Sequence, residues 1–196
     1  MSSRLLRLFA GLVLFGISLG LMVRADLGLG PWDVFHQGVA QRIGLSIGLV
    51  VNLTAVLVLL LWIPLRQRPG IGTVANVVVV GLVTDGTLWL LPSPDPLAAQ
   101  IALLVAGILA NAVATGLYVG AGLGPGPRDG LMTGLAARGH SIRLVRTGIE
   151  LAVLAIGFVL GGSVGFGTIA YALAIGPLVG VFLPLLTVRP AKGQPA

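Results

Sequence analysis

Four acidic side chains stand where chemistry is most readily imagined. Asp85 lies between Thr84 and Gly86, well inside an apolar run from Gly72 to Leu91. A carboxylate at that depth is expensive unless it is protonated, paired or wet, so it is a candidate for proton coupling or cation binding, or else it reaches interfacial water near Leu91. Asp33 and Asp129 close two glycine-proline elements, Gly28-Leu29-Gly30-Pro31-Trp32-Asp33 and Gly124-Pro125-Gly126-Pro127-Arg128-Asp129. Proline followed by an acid marks a helix start, where negative charge is favoured and free backbone N–H groups can hold an anion. Two readings stand open: half-helix ends forming gates or a central site, or plain turn geometry with aspartate as a cap. Glu150 follows Arg146 by four residues, the spacing of an ordinary helical ion pair, and is also a candidate for a second carboxylate near the mouth of a pathway.

The elements that must position these side chains come as a repeat. Besides the two glycine-proline elements, Gly44-Leu45-Ser46-Ile47 returns as Gly139-His140-Ser141-Ile142, and Gly70-Ile71-Gly72-Thr73-Val74-Ala75 returns as Gly165-Phe166-Gly167-Thr168-Ile169-Ala170. Order and spacing are kept, with Gly81 falling on Gly176 and Asp85 on Gly180. The second glycine-proline element departs by having Arg128 where the first has Trp32, so the two halves are not chemically equivalent.

With 56% apolar residues, 9% charged residues and 30 glycines in 196 positions, the chain cannot hide its apolar surface inside one soluble core. Six runs approach the ~20 residues of a membrane span, at about 5–23, 48–65, 72–91, 97–118, 147–164 and 166–188. The fold class expected is an all-α polytopic membrane protein. It forms a single transmembrane domain, 1–196, of two inverted three-helix repeats, about 5–91 and 97–188. The first run is too long for a signal peptide and no small-x-small cleavage site follows Val23, so it reads as a retained helix.

Charge sets the expected orientation. A cytoplasmic N-terminus puts Arg4, Arg7, Arg66, Arg68, Arg128, Arg138, Arg143, Arg146, Arg189 and Lys192 inside and leaves Arg24 and Arg42 outside, which obeys the positive-inside rule. Both termini are then cytoplasmic. Residues 31–44 and 127–138 read as short helices, either re-entrant or lying flat in the headgroup region; full crossing is costly for Gln37, Gln41, Arg42 and Arg138. Trp32, Phe35, Val39 and Ile43 share one face of the first of them.

Other polar and aromatic residues have plainer readings. His36 and His140 lack nearby ligands and read as surface groups, not a metal set. Trp62, Trp89 and Tyr118 near span ends read as interfacial anchors. Asn52, Thr54, Asn76, Asn111, Thr115 and Tyr171 read as interhelical hydrogen-bonders or, more sharply, as the lining of a pathway. The small-xxx-small pairs Gly16/Gly20, Gly161/Gly165 and Gly176/Gly180 read as packing faces. Pro177 and Pro184 predict a kink or break in the last span.

The blocks from Gly28 to Asp33, Gly44 to Gly48 and Gly72 to Asp85 resemble those of the bacterial YczE-like membrane proteins, a group that includes the YitT and YyaS proteins. The likeness runs from about Arg24 to Gly180, with the glycine-proline-tryptophan-aspartate element its most specific part. The resemblance implies a multi-pass protein of the bacterial cytoplasmic membrane and brings no settled activity.

No phosphate loop, metal-ligand cluster or nucleophile setting is present, so no enzyme is expected and no cofactor. With no cysteine there is no disulfide framework or thiolate site. Two functions remain: a small secondary transporter or permease-like protein, with Asp85, Asp33, Asp129 and Glu150 as candidate transport or coupling residues; or a non-transporting accessory that docks a partner or anionic lipid through Arg138, Arg143 and Arg146. Gly28, Gly30, Pro31, Trp32, Gly124, Gly126, Pro127 and Arg128 are the candidate repeat-motif positions. The expected partners are the lipid bilayer and a small-molecule or ion substrate. A homodimer is compatible with the sequence, and nucleic acid is not expected.

Overall fold

The computed structural model describes residues 1–188. These form eight helices: α1 (Ser2–Ala25), α2 (Pro31–Ile43), α3 (Ile47–Leu65), α4 (Ile71–Leu90), α5 (Leu97–Gly120), α6 (Pro127–Ala136), α7 (Ile142–Val159) and α8 (Phe166–Leu186). Five of them, α1, α3, α4, α5 and α8, are long and apolar enough to cross a membrane. α7 occupies the remaining expected run but begins at Ile142 rather than Thr147, so Arg143, Arg146 and Glu150 lie within it. That charge separates it from the other five. α8 stays one helix through both Pro177 and Pro184. Arg189 and Lys192 lie outside the described residues.

Large apolar side chains cover the outside. Leu57, Leu82, Leu144, Leu173 and Leu185 are all more than half exposed, which in water would be an aggregation surface and in lipid is the expected face. The interior is held together by close backbone approaches. α1 and α5 form the central pair, with Gly11 against the backbone of Ala114 and Tyr118 and Gly107 against Met22. α4 packs on α1, where Gly16 faces Val83, Gly20 faces Thr87, and Thr84 donates to the Gly16 carbonyl at 3.2 Å. α8 packs on α5 through Gly116 and Gly120.

The short helices cross over. α2 lies on α7, with Gly38 against Gly157 and Val34 against Gly162, and α6 lies on α3, with Gly130 against the Trp62 ring. Trp62 is therefore 2% exposed and donates to the Pro127 carbonyl at 3.0 Å. It is not an interfacial anchor; Trp89, 85% exposed, is the one placed to act so.

α2 turns the other way round from its amphipathic expectation. Its buried residues are Trp32, Asp33, Val34, His36, Gln37, Gly38 and Ala40, while Ile43 is exposed and Phe35 and Val39 are half-buried. Of its inner polar positions, Gln37 accepts from the Ser163 N–H at 2.6 Å.

Two seams differ sharply. α3 and α4 are zipped: Gly48 and Gly81 leave no room for a Cβ on either, Asn52 accepts from the Gly81 N–H at 3.0 Å, and Asp85 accepts from the Gly48 N–H at 2.8 Å and the Ser46 hydroxyl at 2.5 Å. α7 and α8 barely touch, and open space surrounds Gly176 and Gly180. Those two glycines do not form a packing face.

Candidate functional site

The glycine-proline elements deliver two helix starts to one place. Gly28 has φ 103° and Gly124 φ 119°, conformations that favour glycine. A Cβ on Gly28 would lie 2.5 Å from the Gly165 nitrogen and 2.8 Å from Thr168 Oγ1. A Cβ on Gly124 would lie 2.9 Å from both Gly70 Cα and Thr73 Oγ1. Each approach is thus pinned to the start of a helix from the other half. Gly167 donates to the Leu27 carbonyl at 2.6 Å, Gly72 to the Leu123 carbonyl at 2.8 Å, and Thr73 to the Pro125 carbonyl at 2.7 Å. Gly30 and Gly126 then serve as the N-caps of α2 and α6, each with proline in the first turn.

Between these two starts lies a cavity of two lobes, about 200 and 260 Å³. Asn76, Tyr118 and Asp129 border the first, Gly30, Pro31 and Asp33 the second, and Trp32, Arg128, Arg146, Glu150 and Tyr171 border both. The Arg128 guanidinium carbon sits 5.1 Å from the centroid of the Trp32 ring, within cation–π range. One of its nitrogens is 3.9 Å from Asp33 Oδ1. Tyr118 donates to Asp129 Oδ2 at 2.7 Å, and Arg146 to Glu150 Oε1 at 2.8 Å. Deeper in, Asn111 donates to Ser18 at 3.0 Å and accepts from Tyr171 at 3.3 Å.

Several buried polar atoms at this site have no hydrogen-bond partner: Asp33 Oδ1, Trp32 Nε1 and both ring nitrogens of His36. His36 is 0% exposed, so the surface role expected of it is overturned; the α2 stripe that carries it faces the protein. Its Nδ1 is 3.4 Å from Asp33 Oδ1. Burial, and then the Arg128 charge, lower its pKa to about 4 against the opposing pull of Asp33, so the ring is neutral near pH 7. His140 is exposed.

Of the residues singled out in the sequence, the fold gathers Gly30, Pro31, Trp32, Asp33, Gly126, Pro127, Arg128, Asp129, Arg146 and Glu150 at this cavity. Gly28 and Gly124 stand behind it as hinges of the approach. Asp85 is elsewhere, bonded to the start of α3 across the α3–α4 seam. Arg138, on the connection after α6, and Arg143, in the first turn of α7, are exposed, and Arg138 donates to the Pro64 carbonyl. Tyr118, read as an anchor, is 5% exposed and lines the cavity. Its place four residues before Gly122 made it look like a span end, and nothing local signals that α6 would fold back over it.

The chain matches a family model described as a family of unknown function, DUF6198, over residues 2–184. It is 41% identical over 184 residues to an uncharacterized protein of Haemophilus influenzae, covering 93% of this chain and 84% of that protein. It is 36% identical to the uncharacterized membrane protein YczE of Bacillus subtilis, covering 90% of this chain and 83% of that one. A second Bacillus subtilis protein, the uncharacterized protein YyaS, is 24% identical over 90% of each chain. No solved structure matches. Five apolar helices, an apolar exterior and these relatives lead to one conclusion: the chain is an integral membrane protein and belongs to the YczE-like family DUF6198.

Proposed function

We propose that this protein is a small secondary transporter or permease-like protein of the bacterial cell membrane, which carries a small polar solute through the cavity at its centre. The observation that carries the proposal is the meeting of the two repeated glycine-proline elements at one cavity, with Arg128 stacked on Trp32. Paired half-helix starts at a shared central site are the arrangement by which many transporters hold a substrate. A water-accessible, charged cavity inside a bundle of apolar helices has a cost that function explains.

In this proposal the halves, about 5–91 and 97–188, are inverted, with α2 and α6 as re-entrant helices and α1, α3, α4, α5, α7 and α8 as the six spans. Reciprocal packing supports it, since α2 lies on α7 as α6 lies on α3, and α4 on α1 as α8 on α5. Arg7 donates to the Leu186 carbonyl at 2.9 Å, which brings the start of α1 beside the end of α8 and supports two termini on one side, the cytoplasmic side by charge. The closed α3–α4 seam and the open α7–α8 seam fit a state open toward one side only.

The alternative of an accessory docking through Arg138, Arg143 and Arg146 is weakened because Arg146 pairs with Glu150 and Arg138 donates to the Pro64 carbonyl. The test needs no substrate. Because the chain has no cysteine, Ala55→Cys and Ile175→Cys each provide one thiol in the cavity lining. A transporter that alternates exposes these thiols to a membrane-impermeant reagent from either face, in intact cells and in inverted vesicles. Labelling from one face only, at both positions, would end the transport proposal.

A further inference from the structure

We infer that the cavity takes a small monovalent organic cation, an amine or a guanidinium, bound between Trp32, Asp33 and Asp129. The inference deepens the transport proposal and rests on it for the cavity's role. Three carboxylates, Asp33, Asp129 and Glu150, border the two lobes, against two guanidiniums, Arg128 and Arg146. Arg146 is committed to Glu150 at 2.8 Å, and Arg128 lies 3.9 Å from Asp33. Among the described residues no arginine or histidine nitrogen comes within 4.0 Å of Asp129, whose one side-chain hydrogen bond is from the neutral Tyr118 hydroxyl. The cavity therefore carries one negative charge without a counter-charge. Asp129 is half-buried, so its carboxylate attracts a cation at less than full water screening.

A second observation points the same way. Asp33, which borders the second lobe, is 5% exposed, and its buried Oδ1 has no hydrogen bond among the described residues, with His36 Nδ1 at 3.4 Å and Arg128 at 3.9 Å. The nearest cation, Arg128, stands off it and over the Trp32 face instead. That corner, an indole face beside a carboxylate, already accommodates a planar cation from the chain itself. The facing walls are aromatic too, with Phe15, Tyr118 and Tyr171 around the lobes. Aromatic faces with a carboxylate are what recognises an organic cation.

An anion is poorly served by comparison. Both arginines are engaged, and Pro31 and Pro127 remove an N–H from each helix start. At α2 the N–H groups of Asp33 and Val34 are turned back to the Gly30 carbonyl, both at 2.9 Å. Lobes of about 200 and 260 Å³ admit a small organic guest, roughly ten heavy atoms in either.

The probe is methylguanidinium, titrated by calorimetry onto the purified protein in detergent, with glycine and acetate as the zwitterionic and anionic comparisons. Saturable binding of methylguanidinium is expected, with glycine and acetate weaker. Asp129→Asn, which keeps the Tyr118 contact, should weaken it by about tenfold or more, the loss of one partly screened charge pair. Glu150→Gln, more exposed and safer for folding, should weaken it less. Tighter binding of glycine or acetate, binding of none of the three, or methylguanidinium affinity unchanged in both variants would overturn the inference. The failures are separable: methylguanidinium that binds while cavity thiols label from one face alone refutes transport and leaves the cation site standing, whereas two-faced labelling with acetate preferred refutes the cation and leaves transport standing.

Discussion

Arg128 lies over the ring of Trp32 at 5.1 Å, and these two residues hold the same register position in the two halves of the chain. One of the two places where the repeated glycine-proline elements differ, the other being Leu29 against Pro125, is thus the place where they touch. A cation from one element and an indole from the other form a contact that two identical elements could not make. A double-mutant cycle with Arg128→Gln and Trp32→Leu is expected to give a coupling energy of about 1 kcal/mol, favourable, in a thermal or denaturant assay in detergent. Additivity of the two substitutions would show that the stacking contributes nothing.

Gly28 is expected to be the least replaceable glycine of the chain. At φ 103°, with the Gly165 nitrogen 2.5 Å from the site of a Cβ, Gly28→Ala should cost about 2 kcal/mol or more through strain and a displaced approach. Gly176→Ala, on α8 with nothing within 4 Å, should be neutral or stabilise by up to about 1 kcal/mol through helix propensity. Melting curves of the two variants in detergent should therefore move in opposite directions or at least differ by several degrees.

Asp85 is expected to act on the α3–α4 seam. It accepts from Ser46 and from the Gly48 N–H, so Asp85→Ala should destabilise the protein by about 1–3 kcal/mol, leaving an amide without its acceptor. Methylguanidinium binding should be unaffected, because Asp85 does not border the cavity. Loss of binding with stability unchanged would move Asp85 into the site.

Stability should depend on pH through His36. Its pKa is lowered to about 4 in the folded protein from an ordinary 6.5, so the unfolded chain binds the proton more readily. The stabilisation is complete above about pH 6.5 and is lost as pH falls toward 4, by up to about 3 kcal/mol. Melting temperature should drop between pH 7 and pH 5 in the wild type and drop less in His36→Gln. Equal slopes in the two proteins would assign the acid sensitivity to other groups.

The helix starts were legible because each has a local cause: Pro31 and Pro127 lack the N–H that a first turn leaves unused, and Asp33 and Asp129 follow in the positive turn. The apolar runs of α1, α3, α4, α5 and α8 were legible by length and composition alone. What sequence did not disclose depends on partners far along the chain. Trp62 looked like an anchor because its span ends nearby, and it is buried because α6 returns to lie on it. His36 looked like a surface group on an amphipathic helix; it is enclosed because α2 packs against α7 and α3. Asn76 and Glu150 were weighed as pathway residues without any sign that Tyr118 and Arg128 would join them.

The two seams have unequal locks. On the first, glycine meets glycine, and Asn52 and Asp85 bolt the backbones together. On the second, repeat register puts Arg143 opposite Gly176, Thr147 in the place of Asn52 and Gly180 in the place of Asp85, so neither the close approach nor the bolts can be reproduced. Any swing that shut the second seam would end in a looser latch than the one holding the first. In the proposed transport cycle the molecule would therefore rest with the α3–α4 seam bolted, and a solute arriving on the α7–α8 side would meet the seam that swings while the one ahead of it must be unbolted.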